Sequence, residues 1–95
     1  MSERTVIGET SVPALPRGVR LKHDETRCQW VILAPERMFV LDDIGLAIMR
    51  RIDGEAAASA IVDDLAISFQ APREQILGDV IQMLQDFADK GVLAA

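Results

Sequence analysis

The sequence predicts an α+β fold: a winged-helix-like, three-stranded antiparallel sheet, N-terminal in the chain, packed on a three-helix bundle. Two observations carry this reading. Between residues 19 and 41 apolar and polar residues alternate with period two, interrupted by two short turns. From residue 43 the apolar spacing lengthens to that of helices, broken at Asp53-Gly54 and at Gln70-Ala71-Pro72.

Residues 1–16 mix Ser, Thr, Gly and Pro without a sustained period. They are expected to form a flexible tail ahead of one domain spanning 17–95. Val19, Leu21 and His23 alternate with Arg20, Lys22 and Asp24 as a half-buried first strand. Asp24 to Arg27 is a polar hairpin loop. The second strand begins at Cys28, with Cys28, Trp30 and Ile32 on one face and Gln29, Val31 and Leu33 on the other. Ala34-Pro35-Glu36 turns the chain, because proline presets one turn dihedral and cannot donate to a ladder. The third strand is Arg37 to Leu41. Loops this short join antiparallel neighbours, so strands one and three are edges. Met38, Phe39, Val40 and Leu41 are four consecutive apolar residues on such an edge. Edges are ordinarily guarded by charge, proline or a bulge. Either the chain's own helices or a partner must cover this strand.

Asp42 or Asp43 starts helix one as an N-cap. Ile44, Ala47, Ile48, Arg51 and Ile52 are expected on one face, with the end at Asp53-Gly54. Helix two is expected from about Ala56 to Phe69, with Ala58, Ile61, Val62, Leu65, Ala66 and Phe69 inward. Helix three starts at Pro72 and ends near Lys90-Gly91, with Val92 and Leu93 folding back. Its apolar arc is wide. Met83, Ile76, Phe87 and Val80 form one edge, and Leu84, Leu77, Ala88 and Ile81 the other, about 160° in all against the roughly 100° a surface helix needs. Such a helix either touches two helical partners or turns one edge toward a groove beside strand three.

At 95 residues and 49% hydrophobic, the chain is one domain with a modest core. A single cysteine, no apolar run of membrane-spanning length and no signal-peptide pattern make the cytoplasm the expected location. The net charge of −5 is uneven. Residues 17–37 carry five bases against three acids, and residues 42–90 carry four bases against ten acids. That balance opposes nucleic-acid binding, which rests on neutralising phosphates.

No catalytic set is visible. His23 is the only histidine, and nothing in the spacing orients it as a base. Cys28 reads as a buried, inert thiol, and Trp30 as a core anchor. One Cys and one His do not make a structural zinc site, and the glycines form no phosphate loop. Asp42-Asp43 is explained by capping; Asp63 and Asp64 point about 100° apart on a helix. A winged helix also invites a DNA-binding reading, with helix three as recognition helix. On its outward face, however, acids outnumber bases. A structural dimerisation module is the other alternative, and the short connection at 53–56 permits a domain-swapped dimer, although a monomer is expected. The third strand and helix three together offer a further possibility, a sheet edge that accepts an extended peptide beside apolar pockets.

GVRL at 18–21, QWVILAPER at 29–37, Leu41-Asp42, Asp53-Gly54, Asp79-Val80 and the closing Lys90-Gly91-Val92-Leu93 occur in an order and spacing that resembles the D-protein family (PqqD) of pyrroloquinoline quinone biosynthesis. The resemblance covers about residues 15–93. It implies a non-catalytic peptide chaperone that binds the ribosomally made precursor peptide. The chaperone presents it to a radical S-adenosylmethionine enzyme for glutamate–tyrosine cross-linking. It implies no cofactor for this chain, since the iron–sulfur clusters belong to the enzyme. It further implies that the peptide joins strand three, at Arg37, Met38, Phe39, Val40 and Leu41, and packs on Ile76, Val80, Met83, Leu84 and Phe87 of helix three.

Overall fold

A computed structural model describes residues 5–95. The elements follow in the order β1 (Arg20–Asp24), β2 (Gln29–Ala34), β3 (Arg37–Val40), α1 (Asp43–Met49), α2 (Ala58–Phe69) and α3 (Arg73–Asp89). The sheet is an antiparallel meander with β2 in the centre. Leu21, Ile32 and Phe39 lie abreast across the three strands and face the helices. Lys22, Val31 and Val40 lie abreast on the outer face.

Side chains set both hairpins. The Asp24 carboxylate accepts from the backbone N–H of Thr26 and Arg27, which turns the first loop. Cys28 takes a left-handed φ of 53°, so β2 starts one residue later than expected. Cys28 is accordingly exposed, not buried on the strand face. In the second hairpin only Pro35 and Glu36 separate the paired residues Ala34 and Arg37, and Glu36 takes φ 62°. Proline followed by a positive φ is the pattern of a type II turn.

Asp42 caps α1 by accepting from the Gly45 N–H at 2.7 Å. The helix ends at Met49, short of the expected Asp53-Gly54 corner, and continues as tight turns from Arg51 to Ile48 and Ile52 to Met49. Gly45, Ile48 and Met49 face inward, while Ile44, expected on the buried face, is 37% exposed. The Asp53 carboxylate then accepts from Glu55 and Ala56, both at 2.8 Å, and delays the start of α2 to Ala58. These two backbone donors hold the Asp53 pKa below its ordinary value of 3.8. Ala58, Ile61, Val62 and Leu65 are buried as the periodicity requires, but Phe69, in the last turn, is 44% exposed. Ile76, Val80, Leu84 and Phe87 of α3 complete the core against α2 and the sheet. Gly91, at φ 77°, reverses the chain so that Val92 and Leu93 fold back and are buried.

Residues 5–16 depart from the expected flexible tail; residues 1–4 lie outside the described residues. Ile7 is buried against the helices. Its N–H donates to Gln85 Oε1, whose amide nitrogen donates in turn to the Thr5 carbonyl. Ala14 pairs with Ala94 through two backbone hydrogen bonds. The physical reason lies at the start of α2, where the N-cap, Ala57, has no side chain able to accept. The arm supplies the acceptors instead, Ser11 O for Ala58 N at 2.7 Å and Glu9 O for Ser59 N at 2.9 Å. Arg73 secures the arm from α3 by pairing with Glu9 and with Asp63 of α2, and these carboxylates raise its pKa.

Candidate functional site

The free edge of β3 is the reactive feature of the backbone. Leu41 N donates to Trp30 O at 2.9 Å, directly beyond the Val31–Val40 pair. In an antiparallel ladder, hydrogen-bonded and non-hydrogen-bonded pairs alternate. Phe39 therefore bonds inward to Ile32, while the N–H and C=O groups of Met38 and Val40 point away from β2, toward the open edge. Their side chains, 45% and 57% exposed, stand on the outer face of the sheet.

Beside that edge runs an open groove of about 1460 Å³. Val40, Leu41, Asp42 and Ile44 form one wall; Asp79, Met83 and Asp86 contribute to the other. On a helix, residues three and four apart are neighbours. Asp79, Met83, Asp86 and Lys90 consequently form one row along α3. β3 runs opposite to this row, since Arg37, at its start, donates to the Lys90 carbonyl at 2.6 Å. That contact caps the helix C-terminus with a cation. It also closes one end of the groove. Phe39 and Phe87 meet edge-on with centroids 5.9 Å apart, and the Arg37 guanidinium and Lys90 Nζ lie 5.7 and 5.4 Å from the Phe39 ring. Among the described residues the far end, at Asp42 and Asp79, has no such closure.

The ten residues expected at the site divide into four groups. Val40, Leu41, Met83 and Phe87 line the groove. Arg37 and Phe39 build its closed end. Met38 contributes its backbone to the edge and its side chain to the outer face. Ile76, Val80 and Leu84 do not reach the groove; they are 5%, 1% and 0% exposed in the core. The wide arc of α3 has its centre in the core, and its borders remain half-buried at Leu77, Ile81 and Met83. Ile44 is a groove residue that the sequence pattern does not assign there. Nothing in the sequence signals it, because α1 is rotated relative to its apolar pattern.

This arrangement offers hydrogen-bonding edge and apolar surface. Among the described residues no three His, Cys, Asp or Glu side chains gather as metal ligands. His23 lies against Trp30, with ring centroids 4.9 Å apart, and the Arg50 guanidinium covers the Trp30 ring at 4.9 Å. Trp30 is thus half-buried between polar neighbours on the sheet. No described helix is long and apolar enough to cross a membrane.

Comparison with known proteins gives a consistent set of similarities. Residues 29–93 match the family described as coenzyme PQQ synthesis protein D (PqqD). The chain is 51% identical over 92 residues to the PqqA binding protein of Rhodopseudomonas palustris strain BisB5, covering 97% of this chain and 90% of that one. It is 41% identical to the PqqA binding protein of Gluconobacter oxydans, covering 93% and 92%. Among solved structures, it superposes on the PqqD portion of Methylobacterium extorquens PqqCD with a TM-score of 0.85 at 41% identity, covering 99% of this chain and all of that one. That protein is described as a functional, stand-alone recognition element for ribosomally synthesized and post-translationally modified peptides. The crystal structure of PqqD from Xanthomonas campestris matches with a TM-score of 0.61 at 44% identity, covering 94% and 99%.

Proposed function

The chain belongs to the coenzyme PQQ synthesis protein D family, and we propose that it is a peptide chaperone of pyrroloquinoline quinone biosynthesis, binding the PqqA precursor peptide without catalysing a reaction itself. The observation that carries this reading is the free β3 edge beside an apolar groove. Met38 and Val40 offer backbone donors and acceptors at every second residue, which is how an added strand is held. Val40, Leu41, Ile44 and Met83 then receive the peptide's side chains. A radical S-adenosylmethionine enzyme takes the presented peptide and forms the glutamate–tyrosine link. The chaperone works in the cytoplasm as a monomer.

Titration with the precursor peptide, followed by backbone amide shifts, tests the reading. Signals of residues 38–41 and of Met83 should move together and saturate. Saturable binding that leaves β3 still while moving β1 would place the peptide elsewhere. Addition of the radical enzyme to the loaded complex should slow its tumbling further, and no such change would remove the enzyme from the assembly.

A further inference from the structure

We propose that the groove selects a cationic segment of its peptide, and that Asp79 sets this preference at the open end. The inference rests on the peptide-binding reading above and names the chemistry of the occupant. The row of α3 that faces β3 carries Asp79 and Asp86, and Asp42 stands across the groove at the start of α1. These acids are not equivalent. Asp86 already pairs with Lys90 at 2.8 Å, and Asp42 is committed to capping Gly45. Asp79 is exposed and has no hydrogen-bond or ion-pair partner among the described residues. It stands one helical turn from Met83, next to the apolar surface a peptide would cover.

The groove therefore has electrical polarity. At the start of β3 it is closed by Arg37 and Lys90 over the Phe39 ring. At the end of β3 it opens between Asp42 and Asp79. A lysine or arginine there would lay its aliphatic stem along Met83 and present its charge to Asp79. A glutamate in the same place would meet only like charge. This is complementarity at a rim, so its contribution is selectivity more than bulk affinity.

Three synthetic peptides test it. Each alternates leucine and threonine in its centre, keeps one end neutral and differs only at the other, which carries lysine, glutamine or glutamate. Binding at low salt should fall in the order lysine, glutamine, glutamate, with about a two- to five-fold step for each exposed pair. Raising the salt should flatten the order, because solvent-exposed ion pairs are weakened by ionic screening. Asp79→Asn should abolish the lysine preference, and Asp79→Lys should invert the series. If wild-type protein binds the lysine and glutamine peptides alike, or if Asp79→Asn keeps the preference, charge selection is wrong. Amide shifts at 38–41 with the glutamine peptide would show that the groove reading survives that failure. If no peptide moves those amides, the groove reading falls and the selectivity with it.

Discussion

Replacing Val40 with proline separates the two roles of β3. The Val40 N–H faces the free edge, because the inward bonds of this strand come from Phe39 and Leu41. Proline is tolerated on edge strands where the missing N–H would have faced solvent, and it favours an extended residue before it, which Phe39 already is. The lost side chain is 57% exposed, so little buried surface goes with it. The sheet should therefore survive. A docked peptide loses one hydrogen bond, worth about 0.5–1.5 kcal/mol net, and keeps a carbonyl with no partner, which costs about 1–3 kcal/mol when buried. Taking part of that penalty as relieved by water, the loss is about 1.5–3 kcal/mol, or roughly ten- to a hundred-fold in Kd. Calorimetric titration with precursor peptide measures the affinity, and thermal unfolding confirms the fold. Phe39→Pro is the control. It removes an inward ladder bond and should destabilise the sheet itself. A Val40→Pro protein that melts like wild type and binds within about two-fold of it would refute edge pairing at this residue, since one backbone bond then contributes less than roughly 0.4 kcal/mol.

Three further outcomes concern the scaffold. Ile7→Ala should destabilise by about 2–3 kcal/mol, the lower half of the range for a buried isoleucine because the arm is peripheral, and lower the midpoint by roughly 10–20 °C; an unchanged melting curve would mean the arm is not docked in solution. Gln70, the left-handed residue ending α2 at φ 50°, should be better as glycine. Gln70→Gly is expected to gain about 0.5–1 kcal/mol in urea unfolding, the left-handed strain relieved less the added chain entropy, and a loss would show that the glutamine side chain matters more than its backbone strain. The Asp53 pKa is lowered in the folded chain by the Ala56 and Glu55 N–H groups. Its stabilisation is therefore full above its unfolded value and is lost as pH falls through the lower folded value, so wild type should lose stability more steeply than Asp53→Asn below about pH 5. Parallel acid unfolding curves for the two proteins would contradict this.

What was legible in the sequence follows from how local each cause is. The two hairpins, the Asp42 cap, the Pro72 start and the Gly91 stop each depend on a few adjacent residues, and each was placed correctly or within about two residues. The β3 edge was legible too, because four apolar residues in a row conflict with an unguarded edge. The docked arm was not, since its causes are distant. Gln85 lies 78 residues from Ile7, and Ser11 O serves an N–H of α2. Yet a local sign existed: α2 opens on Ala56-Ala57-Ala58, with no residue able to cap it. A buried helix start without a cap requires an acceptor from elsewhere in the chain. The same reasoning resolves the wide face of α3. Its centre, Ile76, Val80 and Leu84, faces the core, and the arm reaches Gln85 beyond one border of the apolar arc. The other border, at Met83, remains beside the unpaired edge of β3. An arc wider than one core contact needs is thus explained by two unequal neighbours: an arm of the same chain on one flank, and on the other a groove that no described residue fills.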